Sequence, residues 1–182
     1  LIISSFIESY KKKVADGILD KIYGIDLFPE CELLFLKPPL TQGSNPSEEF
    51  DVELERFAKQ IEGIKDQFDI ALCSCGGYGN LVCGKIFEMG KSAIYVGGVL
   101  QMYFGVLGQR WLRERPDVVR LFMNEHWSRP KDIEKPEYKI PEVKKIVPKI
   151  WVLPNRKEFI NWFDSEYKIY ITKASAGLKT GE

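Results

Sequence analysis

The thirty residues DIALCSCGGYGNLVCGKIFEMGKSAIYVGG, 69 to 98, restrict the fold more than any other stretch. DIALCS is a continuous apolar run of strand length, the mark of a strand covered on both sides. After a cluster of glycines, GNLVCGKIFEMG repeats apolar residues with helical period and stops at Gly90-Lys91. SAIYV then reads as a second strand. Strand, glycine turn, helix and strand make a βαβ unit, whose crossover is right-handed in nearly all known cases. The expected class is α/β: a Rossmann-like open, mostly parallel sheet with flanking helices.

The neighbouring segments extend that reading. SSFIESYKKKVAD spaces Phe6, Ile7, Tyr10 and Val14 as one face of a short helix, with Ser4 and Ser5 as its caps. CELLFLK reads as a strand stopped by Pro38 and Pro39. The loop PPLTQGSNPSEE ends in the capping pattern Ser47 to Glu49 and opens a charged helix over 47–66, with Phe50, Leu54, Phe57, Ile61 and Ile64 on one face. From 98 to 123, helical pieces GVLQMYFG and PDVVRLFM flank a basic loop, LGQRWLRERP. Proline and lysine make PKDIEKPEYKIPEVKKIVPK extended or irregular. IWVLP and YKIYIT then read as strands around a short helix, NRKEFINWFD, before a mobile tail, KASAGLKTGE. No internal repeat occurs. The organisation is a Rossmann-like domain over 1–136 and a C-terminal extension over 137–182 that packs on it.

Composition narrows the functional classes. The chain has 182 residues, 45% hydrophobic, enough for one substantial core. Lys plus Arg equals Asp plus Glu at 26 each, so no global field attracts nucleic acid, and an anionic ligand needs a local site. Cys73, Cys75 and Cys83 sit in or beside the apolar stretch and read as small buried side chains of a reducing compartment. They lack CxxC spacing, and the one histidine, His126, is distant in sequence, which argues against zinc. Glycines and Gln101 break the longest apolar run, so no membrane span is expected and the location reads as cytoplasmic. The chain opens Leu1-Ile2-Ile3 without methionine or a basic leader, so it reads as a piece of a longer polypeptide whose other domains are candidate partners.

The glycine turn does not match a dinucleotide site. G-x-G-x-x-G needs a third glycine for close helix packing and an acidic residue at the end of the second strand for the ribose. Here Gly77 and Gly79 are followed by Val82, and the second strand ends in Gly97-Gly98. An NAD-dependent oxidoreductase is therefore the weaker alternative. A P-loop fails too, because the GKS at 90–92 precedes a strand. What remains is general: a glycine turn at the end of a buried strand, with a second glycine pair at the end of the next strand and backbone N–H groups available to a phosphate.

The patterns DIALCSCGGYG, GKSAIYVGGVLQMYFGVLGQRW and NEHWSRP, taken in order, resemble domains of glycan-biosynthesis proteins from bacteria and large DNA viruses. Those domains look related to the GT-D class of glycosyltransferase fold. The likeness spans roughly 30–130. It implies a nucleotide-diphosphate sugar as donor, a glycan hydroxyl as acceptor, a deoxyhexose such as rhamnose as the sugar, and Mn2+ or Mg2+ as the candidate ion. The class carries an Asp-x-Glu metal motif near its N-terminus. Asp51-x-Glu53 has those letters, but residues i and i+2 of a helix do not share a face, and a solvated surface is the expected role. The motif would then lie upstream of Leu1, or the ion is not used.

Within the matched motifs, Gly76, Gly77, Tyr78, Gly79, Gly97 and Gly98 are expected to face the donor. Gln101 would bond ribose or base, while Arg110 and Arg129 would pair with the diphosphate, helped by Asn124. Glu125 is the expected base for the acceptor hydroxyl and His126 its alternate. KPPLTQG, 37–43, would form one wall. A second class of reading is a non-catalytic domain that binds a nucleotide sugar or glycan, or scaffolds a larger enzyme.

Overall fold

In the computed structural model, residues 1–28, 31–41 and 45–134 are described, together with Lys157 and Asn161. Four short strands, β1 (Ile2–Ser4), β2 (Phe35–Leu36), β3 (Ile70–Ser74) and β4 (Ser92–Tyr95), form one parallel sheet in the order β2-β1-β3-β4. The α/β class is as expected, and the sheet is Rossmann-like. Seven α-helices accompany the strands over the described part of 1–134: α1 (Ile7–Ala15), α2 (Leu19–Tyr23), α3 (Phe50–Glu62), α4 (Gly79–Glu88), α5 (Leu100–Tyr103), α6 (Gln109–Glu114) and α7 (Pro116–Phe122).

Side chains that alternate along the strands divide two cores between the sheet faces. Ile3, Ala71 and Cys73 pack with Phe57 and Ile61 of α3 and Val82 and Ile86 of α4. Ile2 packs on the opposite side with Tyr10 of α1 and with Leu100 and Phe104, where the Tyr10 and Phe104 rings stack at 4.1 Å. A third cluster, Ile22, Met102, Leu107, Leu112, Val119 and Trp127, joins α2 to α5, α6 and α7. A parallel bridge between Val106 and Ser128 holds the last described segment on this side.

The main correction concerns the N-terminus. Leu1-Ile2-Ile3 leads into β1, a central strand that pairs with both β2 and β3, whereas the sequence reading began at the following helix. Three residues are too few to show a period, and only the sheet reveals them as a strand. Ser4 and Ser5 do not cap α1. Instead Ser4 Oγ donates to Tyr10 Oη at 3.1 Å and accepts the Phe6 N–H. The expected 47–66 helix is shorter, Phe50–Glu62, with Glu49 as its cap residue and no side-chain cap. The basic loop contains α6, and CELLFLK contributes only Phe35 and Leu36 as strand.

Glu53 departs from the solvated role expected for it. It is 3% exposed, accepts the Glu48 N–H at 3.2 Å and pairs with Arg56. A second buried carboxylate, Glu134, accepts the Ser9 N–H of the first turn of α1 at 2.8 Å, the Ser9 hydroxyl, and the Lys131 N–H at 2.9 Å. This tertiary cap fastens the chain at 134 to α1, so the folded unit reaches at least that residue. The elements expected at IWVLP and YKIYIT, the tail, and most of NRKEFINWFD lie outside the described residues; Lys157 and Asn161 within it are helical and exposed.

Candidate functional site

Strand order fixes where a crevice can form. From β1 the chain moves to β2 on one side, and from β3 to β4 on the other, so the connections leave the sheet in opposite directions at the carboxyl ends of β1 and β3. Open α/β sheets bind ligands at such a point. The glycine turns expected to face a donor follow β3 and β4 at this edge.

The two turns share one geometry. Each strand is followed by a glycine with left-handed backbone, Gly76 at φ +56 and Gly97 at φ +64, then a second glycine in a short 3-10 turn, then a helix. An L residue at 76 or 97 would be strained by its backbone alone. Gly77 and Gly98 differ: neither has positive φ, both are exposed, and a Cβ at either would meet nothing within 4 Å. Their lack of a side chain leaves main chain open to approach from outside.

Tyr95 joins the turns. Its hydroxyl donates to the Gly76 carbonyl at 3.3 Å, and its ring covers Gly79 and reaches within 3.7 Å of a Cβ built at Gly97. Gly79 is therefore a packing position: its own Cβ would overlap the Tyr95 ring, with Cζ at 2.9 Å and other ring atoms nearer. By pattern alone Tyr95 is one residue of the strand SAIYV. The available signal was its place immediately before Val96-Gly97-Gly98. Trp111 is the other unforeseen contributor, its indole N–H donating to the Gly98 carbonyl at 3.3 Å.

Three of the expected donor ligands are turned into the fold. Tyr78 is 4% exposed and stacks on Phe50 at 4.4 Å, turned into the α3–α4 core; its hydroxyl has no hydrogen-bond partner among the described residues. Gln101 is buried with its amide against Gly108, where a Cβ would lie 2.7 Å from both terminal atoms. Asn124 donates to the Lys21 and Ile22 carbonyls at 3.0 and 3.1 Å and accepts the His126 N–H, so it ties its turn to the end of α2. Trp127 Nε1 donates to the same Ile22 carbonyl.

Arg110 is exposed on α6 and pairs with Glu114 at 2.9 Å, a contact that raises its pKa further and holds the carboxyl of Glu114 below its usual range. Exposed pairs of this kind are screened by solvent, contribute little and exchange readily. Arg129 is half-buried, and desolvation lowers its pKa. Glu125 is exposed, with Oε1 3.8 Å from His126 Nε2, and the His126 carbonyl accepts from Lys13 Nζ. Among the described residues, the partners of the Glu125–His126 pair thus lie on its own turn and on α1, not on the glycine turns.

An open apolar groove of roughly 550 Å3 adjoins both regions. Val99 and Trp111, beside Gly98, form part of it, and Asn124, beside Glu125, forms another part, with Ile22, Tyr23 and Met102 in the same lining.

Among the described residues no group of three or more His, Cys, Asp or Glu could hold a metal ion. The Asp51-x-Glu53 pair does not fit one: Glu53 is buried against Arg56, whereas Asp51 is exposed and accepts the Val52 N–H. Cys73 and Cys75 are buried as expected, Cys83 is half-buried and Cys31 exposed, and all four are free thiols. No described helix is long and apolar enough to cross a membrane. Searches against protein-family models, curated proteins and solved structures find no match to this chain.

Proposed function

We propose that the chain is a glycosyltransferase domain that moves a sugar from a nucleotide-diphosphate donor to a glycan hydroxyl. The observation that carries this reading is the pair of matched turns at the sheet's carboxyl edge. Gly77 and Gly98 present main chain there with no steric need for glycine within the fold. Backbone N–H groups at such strand-to-helix turns suit a diphosphate, and Tyr95 holds the two turns in register.

In this scheme Gly76, Gly77, Gly97 and Gly98 cradle the donor. Arg110, released from its exposed pair with Glu114, and Arg129 supply positive charge as the sugar–phosphate bond breaks and charge builds on the leaving diphosphate. Glu125, with His126 as alternate, takes the proton of the acceptor hydroxyl while that oxygen bonds the sugar carbon. The groove lining borders both the β4 turn and the residue before Glu125, and that adjacency supports a donor and an acceptor meeting beside it.

The first test is ligand-induced thermal shift with UDP-, GDP- and dTDP-sugars and with NAD(H), each with and without manganese. Stabilisation by one nucleotide-sugar series, lost in Gly77→Val and Gly98→Val variants that keep the parent fold, is expected. Stabilisation by NAD(H) alone, or unchanged nucleotide-sugar binding in both variants, overturns the reading. With a donor identified, Glu125→Gln should lower transfer far more than donor affinity; equal loss of both removes Glu125 as the base.

A further inference from the structure

We propose that the apolar groove beside the β4 turn seats the hydrocarbon chain of a lipid-linked acceptor, its phosphate lying toward the arginine-bearing α6–α7 wall; this rests on the transferase reading above. The groove carries large apolar side chains left open to solvent, among them Leu121 (74% exposed), Ile25 (60%) and Phe122 (43%). Contiguous exposed apolar surface of this kind marks a binding site.

The polar groups on its walls decide what enters. Of the four polar side chains in the lining, Asn124 has both amide hydrogens and its oxygen engaged by backbone, the Tyr23 hydroxyl donates to the Met102 carbonyl at 2.8 Å, and the Trp111 indole is bonded to Gly98, which leaves the Tyr103 hydroxyl. A sugar or a base in the groove would lose water from its hydroxyls and ring nitrogens with few groups free to replace it, a cost of about 1–3 kcal/mol for each unpaired group. A hydrocarbon chain loses nothing comparable. The concavity, in the range of about 300–1,000 Å3 that encloses a small ligand, is filled by one chain and would be spanned, not filled, by a flat bilayer surface.

Charge gives the direction. The chain as a whole is balanced, but 109–122 holds Arg110, Arg113, Arg115 and Arg120 against Glu114 and Asp117, whereas the α2 side carries Asp20 and Asp26 with Lys21. An anionic head is drawn to the α6–α7 side, and Trp111 of that wall touches the Gly98 turn where the donor would sit. An amphiphile held this way brings the end of the acceptor that bears its glycan up to the transfer site.

The probe is geranylgeranyl diphosphate, kept below its critical micelle concentration and titrated into the full chain by calorimetry. Geranylgeraniol and inorganic diphosphate serve as the tail-only and head-only arms. Leu121→Asp and Ile25→Asp alter exposed side chains and should retain the parent circular dichroism. Binding of the diphosphate lipid, tighter than either arm and weakened at least about tenfold in both variants, is expected. Three results overturn the inference: affinity unchanged in both variants; inorganic diphosphate binding as tightly as the lipid; or a dimer by light scattering that Leu121→Asp dissolves, which makes a second copy the occupant. Nucleotide-sugar binding is read in parallel. Its absence with lipid binding intact removes the transferase reading and leaves an amphiphile site, while the converse removes the groove assignment alone.

Discussion

Gly79→Ala tests whether the Tyr95 ring is the strut between the two turns. Gly79 has helical backbone, φ −55, at the start of α4, so alanine suits the main chain and gains up to about 1 kcal/mol of helix propensity. Against this, its Cβ would enter the Tyr95 ring, closer than the 3.0 Å that real Cβ contacts respect. Overpacking of this kind costs about 1–3 kcal/mol. Relief is available because Tyr95 is 45% exposed at the end of β4 and its ring can swing outward, at the cost of its bond to Gly76. The expected net loss is about 1–2 kcal/mol, or roughly 3–6 °C in Tm for a domain of this size. The same substitution in a Tyr95→Ala background should be neutral or stabilising by up to about 1 kcal/mol, because the clash is gone and the propensity gain remains. Urea unfolding of the four proteins gives the coupling. Equal destabilisation by Gly79→Ala in both backgrounds would refute the packing argument. Nucleotide-sugar affinity, measured alongside, should fall in the single variant, since displacement of Tyr95 unties the turns.

Asn124→Ala should cost about 1.5–3 kcal/mol of stability from three lost hydrogen bonds, with donor affinity unchanged in the folded fraction; a selective loss of donor binding at wild-type stability would return Asn124 to the site. Thiol titration of the native protein should find Cys31 fast, Cys83 slower, and Cys73 and Cys75 reactive only on unfolding. Burial pushes the Cys75 thiol up to about 12 and raises that of Cys73 as well, and fast reaction of either would place it at the surface. Burial also pushes the Tyr23 phenol up to about 12, so its contribution to stability is full below about pH 10, its unfolded value, and is lost as pH rises from there through about 12. Unfolding free energies from pH 9 to 12 should therefore decline less steeply in Tyr23→Phe than in the parent; identical slopes would exclude Tyr23 as a source of the alkaline loss.

By itself, the sequence determined the βαβ unit. An apolar run of strand length, two pairs of glycines and a helical period between them can satisfy burial and backbone hydrogen bonding together in few other ways, and β3, α4 and β4 fall where those signals put them. It also determined that both glycine pairs end strands, hence that they share an edge of the sheet. Periodicity was silent on β1, because three residues have none, and Ile2-Ile3-Ser4 became a central strand only through partners 33 and 70 positions away, at Phe35 and Leu72 for Ile2. Side-chain roles within the motifs were decided in the same way. A motif's letters give no direction for a side chain: Tyr78 turns into the core, Tyr95 out across the turns, and Asn124 back to α2, each set by which helix lies against it. The groove has no sequence signature either. Its walls come from α2, α5, α6 and α7, and their exposed apolar residues become one surface only when the sheet brings those helices together.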